Sequence, residues 1–205
     1  MTDEPWIDDQ LRRRGIRDER VLAAMARVPR ELFVPEEHRD QAYADAAVPL
    51  PHAQTISQPY MVALTAQSLA LEPAARVLDV GTGSGYAAAV LAELAAEVHT
   101  IERIPELAAT ARSTLEAAGY GRVRVHVGDG SLGFPGQAPY DGIAVAAAAD
   151  ELPAALWAQL RINGRIAIPL VTGRREQRLC VLQRTRTGSR LLATVRARYV
   201  PLVVE

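Results

Sequence analysis

Three acidic residues, each placed at the end of an apolar run, are the side chains of this sequence whose types and spacing could do chemistry. Asp79 stands two residues before the first glycine of a glycine-rich turn, Gly-Thr-Gly-Ser-Gly, at 81–85. Glu102 ends the next run about twenty residues further on, and Asp129 follows a third run between two glycines. Glycines at alternate positions after a buried strand allow a tight turn and a close approach of a ligand to the backbone.

The turn and its acidic partners suit a cationic nucleoside better than a diphosphate. A dinucleotide-binding loop reads G-x-G-x-x-G, and its third glycine is replaced here by Tyr86. Asp79 can attract the ammonium of an amino-acid moiety, Glu102 can accept both hydroxyls of a ribose, and Asp129 can accept from an adenine amino group. Together they predict a pocket for S-adenosylmethionine, with NAD as the second choice. The alternative is that these carboxylates only cap helices at strand ends.

Composition excludes several classes of mechanism. All 23 basic residues are Arg, so no reaction that needs a lysine is available. The 24 acidic residues nearly cancel them, so no basic field attracts nucleic acid or an anionic membrane. Cys180 is the only cysteine and the four histidines lack metal-ligand spacing, so we expect no metal site. The acidic first residues do not read as a signal peptide, and a cytoplasmic location is expected.

The chain of 205 residues suits one domain, 1–205, with three regions. Residues 1–74 are helical and irregular, with a helix that Asp18 can cap and that Pro29 ends, and another over 61–71. The segment from Pro49 to Pro59 should not be regular, because its prolines lack N–H donors.

Residues 75–171 alternate short apolar strands with helices, which predicts a doubly wound α/β fold built on a parallel sheet. Residues 172–205 contain two extended runs around Thr-Gly-Ser at 187–189, which predict an antiparallel hairpin at the end of the sheet. The predicted strands are 76–80, 98–101, 123–127, 140–145 and 165–168, followed by the runs 179–184 and 191–199. The predicted helices are 86–95, 105–118 and 153–160.

Several motifs outside the glycine turn are typical of one family. They are Val-Pro-Arg-Glu-Leu-Phe-Val-Pro at 28–35, Arg-Asp-Gln-Ala-Tyr at 39–43, Gln-Thr-Ile-Ser-Gln-Pro-Tyr-Met at 54–61 and Ile-Glu-Arg at 101–103. With these motifs the sequence resembles the protein-L-isoaspartate O-methyltransferase family from about residue 20 to the Val-Pro-Leu-Val tail at 200–203. The glycine turn alone would indicate only some methyltransferase, whereas the segment 54–59 is specific to this family.

The resemblance implies a Rossmann-like class I methyltransferase fold whose C-terminal strands are ordered differently from the usual arrangement. It implies that S-adenosylmethionine is the cofactor and that the free α-carboxylate of L-isoaspartyl residues in damaged peptides and proteins is methylated. The methyl ester then collapses to a succinimide, which hydrolyses partly to normal aspartyl. We expect a monomer that binds such peptides and proteins, and neither nucleic acid nor membrane.

The resemblance also assigns roles to individual residues. Ser57 is implied as the active-site serine, although the residues alone also allow a turn serine that caps the helix starting near Pro59. The implied substrate contacts are Thr55, Ile56 and Gln58. The implied cofactor contacts are Asp79, Gly81, Gly83, Ser84, Gly85, Glu102, Arg103, Asp129 and Gly130.

This sequence departs from the family pattern just before the Gln-Thr-Ile-Ser motif. Pro51 and Ala53 stand where the family usually has glycines, so the loop that carries Ser57 should be stiffer. Two other classes of function remain open: a methyltransferase that acts on a small molecule or a dedicated peptide, and a relative that binds the cofactor without catalysis.

Overall fold

The computed structural model describes residues 4–173 and 176–204, and predicted features that fall on residues 1–3, 174, 175 or 205 lie outside it. The helices are α1 Glu19–Arg27, α2 Pro59–Leu69, α3 Tyr86–Leu94, α4 Pro105–Ala117 and α5 Ala154–Gln159. The strands are β1 Val48–Leu50, β2 Gln54–Ile56, β3 Arg76–Val80, β4 Glu97–Glu102, β5 Arg124–Val127, β6 Tyr140–Val145, β7 Leu160–Thr172, β8 Glu176–Arg184 and β9 Ser189–Arg196. Within these residues, no helix is both long and apolar enough to cross a bilayer.

Seven strands form one mixed sheet in the order β5-β4-β3-β6-β7-β8-β9. The strands from β5 to β7 in that order are parallel to their neighbours. The last two strands, β8 and β9, are antiparallel to theirs and follow in chain order. Parallel neighbours need a crossover connection, which α3, α4 and α5 supply. The predicted α/β sheet and its antiparallel C-terminal hairpin are confirmed.

Both faces of the parallel strands are buried, because successive side chains of a strand point to opposite faces. In β3, Val77 packs into a core formed with α1, α2 and α3, whereas Leu78 and Val80 pack into a second core with α5. In β6, Ala144 and Ile143 divide between the two cores in the same way. Burial on both faces explains the unbroken apolar runs of these strands and confirms the doubly wound arrangement.

The helix α1 begins where the sequence predicts it. The carboxylate of Asp18 accepts hydrogen bonds from the N–H groups of Arg20 and Val21, at 2.9 and 3.4 Å. The helix ends at Arg27, before Pro29, which cannot donate to a further turn. A short 3-10 helix, Arg30–Phe33, follows and turns the chain toward the segment that carries Ser57.

The segment between Pro49 and Pro59 contains a small hairpin, so the prediction that it is irregular is wrong. Strands β1 and β2 pair antiparallel, with Val48 opposite Ile56 and Pro49 opposite Thr55. Proline is tolerated on edge strands, and both strands of a two-stranded ribbon are edge strands. The hairpin therefore forms although Pro49 has no N–H to donate.

The chain after β9 crosses back over the sheet instead of extending the strand. The second predicted run, 191–199, is correct only to Arg196, where β9 ends. Beyond it, the N–H of Ala148 donates to the carbonyl of Val200 at 2.8 Å, and the N–H of Leu202 donates to the carbonyl of Ala148 at 2.7 Å. These bonds hold the tail 200–203 beside the end of β6.

Candidate functional site

The glycine turn lies at the carboxyl end of β3, in the middle of the sheet. Gly81, Gly83 and Gly85 have positive φ angles of 93°, 53° and 91°, a region that residues with a Cβ rarely adopt. The N–H groups of Gly81 and Thr82 donate to the carbonyl of Ile101 in β4, at 2.9 and 3.3 Å. The turn is thus held against β4, and α3 begins directly after it.

Glu102, the last residue of β4, is bonded to the glycine turn through its carboxylate. Its Oε2 accepts a hydrogen bond from the N–H of Gly83 at 2.9 Å, and its Oε1 accepts one from the N–H of Ile104 at 3.0 Å. The side chain is buried. A carboxylate has further lone pairs beyond these two bonds, so Glu102 can still accept from a ligand.

Asp79 is a buried carboxylate behind the turn. Its Oδ2 accepts a hydrogen bond from Thr100 Oγ1 at 2.8 Å, and Thr100 Oγ1 lies 2.7 Å from Thr82 Oγ1. Burial raises the pKa of Asp79 to about 7; the hydrogen bond from Thr100 opposes this rise, and the nearby charge of Glu102 adds to it. Among the described residues no cation pairs with Asp79, so its ionised form has no counter-charge in the protein.

Asp129 and Gly130 follow β5 at the same edge of the sheet. Asp129 caps the 3-10 helix Gly130–Leu132, with the N–H of Ser131 donating to its Oδ1 at 2.8 Å. Asp129 therefore caps a helix, and its predicted contact with the cofactor stays a prediction. A Cβ on Gly130 would lie only 2.5 Å from Cγ1 of Val80, so the close packing of this loop on β3 requires glycine.

A cleft of about 880 Å³ opens at the carboxyl ends of β3 and β4. Its lining includes six of the predicted residues: Thr55, Gly81, Gly83, Glu102, Arg103 and Gly130. Four predicted cofactor contacts do not line it: Asp79, Ser84, Gly85 and Asp129. Five of the nine predicted cofactor contacts thus line the cleft, and the other four lie behind the residues that line it.

Residues that the sequence analysis did not identify complete the cleft. Ala53 and Gln54 of the hairpin line one part of the wall, and Ala146 and Ala147 after β6 line another. The tail 200–203 lines a third part. The tail marked the end of the family resemblance in the sequence, but its place in the cleft was not predicted, because it depends on hydrogen bonds to Ala148, which is distant in sequence.

Ser57 lies where two further cavities meet. An inner cavity of about 380 Å³ is lined by both Ser57 and Asp79, and an outer groove of about 1530 Å³ is lined by both Ser57 and Thr55. Ala146 lines these two cavities as well as the cleft. The segment 55–57 therefore separates the cleft from the outer groove and contacts both.

Ser57 does not cap α2. The residue before the first turn is Gln58, and α2 has no side-chain cap hydrogen bond. The side chain of Gln58 donates instead to the carboxylate of Asp45. Ile56, an implied substrate contact, is buried in the core. Of the implied substrate contacts, Thr55 and Gln58 line the outer groove.

Aromatic and arginine side chains surround the outer groove. The guanidinium of Arg14 lies 3.7 Å from the ring centre of Tyr60 and pairs with Asp45 at 2.9 Å. Arg198 and Tyr199 line the groove from the chain after β9.

Across residues 4–173 and 176–204, no group of three His, Cys, Asp or Glu side chains could hold a metal ion. His99 Nδ1 lies 3.0 Å from His126 Nε2, and His99 Nε2 lies 2.8 Å from Glu97 Oε1. His126 also stacks on Phe134, with 3.7 Å between ring centres. These two histidines belong to a packed cluster inside the fold.

The family model of protein-L-isoaspartate(D-aspartate) O-methyltransferase matches residues 4–205. A protein-L-isoaspartate O-methyltransferase from Gloeobacter violaceus is 50% identical over 199 residues, which cover 97% of this chain and 97% of that protein. These matches confirm the resemblance that the motifs indicate.

Solved structures give the same result. A protein-L-isoaspartate O-methyltransferase superposes with a TM-score of 0.87 at 26% identity, covering 97% of this chain and 65% of that longer chain. A protein from Plasmodium falciparum that is described as a protein-L-isoaspartate O-methyltransferase, in complex with S-adenosyl-L-homocysteine, superposes with a TM-score of 0.85 at 26% identity. It covers 99% of both chains. The chain therefore belongs to the protein-L-isoaspartate(D-aspartate) O-methyltransferase family.

Proposed function

We propose that this protein transfers a methyl group from S-adenosylmethionine to the free α-carboxylate of L-isoaspartyl residues in damaged peptides and proteins. The observation that carries the proposal is the position of the segment 55–57. Thr55 lines both the cleft and the outer groove, and Ser57 lines the groove and the inner cavity that reaches Asp79. A peptide in the groove and a cofactor in the cleft would meet at this segment.

The residues of the cleft fit S-adenosylmethionine. Asp79 does not line the cleft itself but the adjoining inner cavity, where it is a buried carboxylate without a cation beside it in the described chain, and the ammonium of an amino-acid moiety would supply that charge. Glu102 lies at the cleft wall with acceptor capacity left for hydroxyl groups. When bound, the cofactor supplies an electrophilic methyl group on a positively charged sulfur.

The chemistry asks little of the protein beyond orientation. An α-carboxylate is ionised at neutral pH, so the substrate is already a nucleophile and no general base is needed. A bond forms between a carboxylate oxygen and the methyl carbon as the carbon–sulfur bond breaks, and both charges are neutralised. Alignment and exclusion of water then determine the rate.

Ser57 is the residue that we assign to alignment. Its hydroxyl can donate a hydrogen bond to the substrate carboxylate and hold it toward the inner cavity. Among the described residues that line the two cavities at Ser57 there is no histidine to act as a base, so we propose no covalent intermediate. The tail 200–203 lines the cleft with apolar side chains and limits the access of water.

The proposed partners are peptides and proteins that contain isoaspartyl residues. We also propose that the chain acts as one domain and as a monomer, in the cytoplasm, without nucleic acid or membrane as a partner. Support comes from the near-zero net charge and from the described helices, none of which could cross a bilayer. Sedimentation of the purified protein with and without a nucleic acid tests two of these proposals. We expect the mass of a monomer, unchanged when the nucleic acid is added.

A pair of synthetic peptides tests the proposed function. One contains an L-isoaspartyl residue and the other a normal aspartyl residue at the same position, and each is incubated with the protein and S-adenosylmethionine. Mass spectrometry measures methyl ester formation. We expect the ester on the isoaspartyl peptide alone. Equal esterification of both peptides would indicate a different methyltransferase, and binding of the cofactor without esterification of either would favour another substrate or a non-catalytic relative.

A further inference from the structure

Arg30 is a fully buried arginine shortly after α1. It starts the short 3-10 helix that follows α1, and its side chain has 0% exposure to solvent. No carboxylate forms an ion pair with it among the described residues, and burial lowers the pKa of its guanidinium from the ordinary value. A buried charge is costly unless hydrogen bonds or nearby dipoles compensate it, so its contacts indicate its purpose.

Two of those contacts are backbone carbonyls on either side of the hairpin β1–β2. The Nε of Arg30 donates to the carbonyl of Ala42 at 2.6 Å, and its Nη2 donates to the carbonyl of Ser57 at 2.9 Å. Ala42 precedes the hairpin and Ser57 follows it. One planar guanidinium thus joins the two ends of the loop that carries the proposed catalytic serine.

The third contact is Tyr86, the first residue of α3 and the residue directly after the glycine turn. The guanidinium carbon of Arg30 lies 4.6 Å from the centre of the Tyr86 ring, a cation–π geometry. Tyr86 is itself buried, with 1% exposure. Arg30 therefore contacts the backbone of Ser57 on one side and the start of α3, at the end of the cofactor turn, on another.

We infer that Arg30 is a positioning residue, which sets the backbone of Ser57 relative to the glycine turn. This inference rests on the proposed function, in which Ser57 orients the substrate carboxylate beside the cofactor. Methyl transfer depends on alignment, and a displacement of about 1 Å can cost about a hundredfold in rate. A rigid link from Ser57 to the residue after Gly85 would hold that alignment.

The test compares R30K with R20K. Lysine keeps the charge at position 30 but lacks the planar fork that reaches two carbonyls. Arg20 is the control, because it also donates to two backbone carbonyls, Leu71 and Leu94, both at 2.7 Å; it differs from Arg30 in being exposed, and neither bond involves Ser57. We expect R30K to lower kcat on an isoaspartyl peptide by about 10- to 100-fold, with cofactor Kd within about twofold, and R20K to change neither.

A double-mutant cycle separates positioning from general structural support. In the S57A background, R30K should lower kcat by less than about twofold, because its effect passes through Ser57. An equal loss in both backgrounds, or a loss no larger than that of R20K, would overturn the inference.

Amide hydrogen exchange provides a readout that does not depend on activity. R30K should accelerate exchange across the hairpin 48–56 and residue 58 relative to R20K and to the wild type. Unchanged exchange there would overturn the inference. If the wild type leaves the isoaspartyl peptide unmethylated, the proposed function fails, while the exchange comparison still decides whether Arg30 fixes the loop.

Discussion

Two turns border the cofactor cleft, and both use left-handed backbone conformations with different residues. In the turn 81–85, the left-handed positions are glycines. In the hairpin, His52 and Ala53 have φ angles of 59° and 55°. A residue with a Cβ in this region costs roughly 1–2 kcal/mol. The cofactor turn is therefore formed without backbone strain, whereas the turn before Ser57 contains strain at two residues.

The difference concerns Ala53 in particular. Ala53 stands at a position where the family usually has glycine, and here it adopts a backbone conformation that glycine would favour. Strain of this kind persists only when the surrounding structure holds it in place.

The two turns are also held differently. The N–H groups of the glycine turn donate hydrogen bonds to the carboxylate of Glu102, which is buried, and to the carbonyl of Ile101. The tip of the hairpin is exposed and is held by Gln54, whose backbone N–H donates to Pro51 at 3.3 Å and whose side chain donates to His52 at 3.0 Å. We expect the hairpin tip to open locally before the glycine turn does.

The largest expected effect tests the substrate side. S57A should lower turnover of an isoaspartyl peptide by about 10- to 1000-fold, because one positioned hydrogen bond to the reacting group is lost. Cofactor affinity, measured by calorimetry, should stay unchanged. The control S113A removes an exposed hydroxyl of α4 and should change neither quantity. Turnover of S57A within twofold of the wild type would show that Ser57 has no part in the reaction.

The second prediction tests the cofactor side. E102A should weaken S-adenosylmethionine binding by about 1–3 kcal/mol, because the N–H groups of Gly83 and Ile104 lose their acceptor and the ligand loses a charged one. E106A, which removes an exposed carboxylate from the first turn of α4, is the control. Calorimetric affinity of E102A equal to that of E106A would contradict the assignment of Glu102.

The third prediction concerns pH and the buried carboxylate behind the cofactor turn. The pKa of Asp79 is raised from 3.8 to about 7, so below that pH the carboxyl is protonated and cannot pair with an ammonium. Cofactor affinity should therefore rise by up to about tenfold per pH unit from about pH 5.5 to 7, where an α-amino group stays protonated. Calorimetry should show this rise in the wild type and its loss in D79N.

The same group affects the stability of the cofactor-free protein in the opposite sense. Between pH 3.8 and about 7 the folded state keeps a proton on Asp79 that the unfolded state releases. The contribution of Asp79 to the free energy of unfolding therefore falls as pH rises through this range. Denaturant titrations of wild type and D79N would separate it from other groups, and identical pH profiles of the two proteins would contradict the raised pKa.

The smallest expected effect tests the backbone strain at Ala53. A53G should raise the free energy of unfolding by about 0.5–1 kcal/mol, because the relief of a left-handed alanine exceeds the added entropy of the unfolded chain. A46G is the matched control, since Ala46 is exposed and has no positive φ, and it should be neutral or destabilising. A lower stability of A53G than of A46G would show that Ala53 is not strained.

The sequence predicts the cofactor side of the molecule better than the substrate side, for a physical reason. Strands β3 and β6 match their predicted bounds, because apolar runs between glycines and prolines define them locally. The sequence does not predict that Asp79 lies behind the glycine turn while Glu102 lines the cleft. These positions depend on a hydrogen bond from Thr100 to Asp79 and on one from the N–H of Gly83 to Glu102.

Around Ser57 the sequence misses more, because the decisive contacts are distant along the chain. The hairpin contradicts the reading of Pro49 to Pro59 as irregular, since an isolated ribbon tolerates proline at its edge. The links from Arg30 to Ala42 and Ser57 span 12 and 27 residues, and no periodicity indicates them.

The central claim is that Ser57 orients the substrate carboxylate at the junction of the outer groove and the cofactor site. A crystal structure with S-adenosyl-L-homocysteine and an isoaspartyl peptide tests it most directly, through the distance from Ser57 Oγ to the α-carboxylate. The account predicts a hydrogen bond of about 2.5–3.0 Å, with the peptide in the groove and the cofactor product in the cleft. A carboxylate bound elsewhere, or a peptide outside the groove, would contradict it.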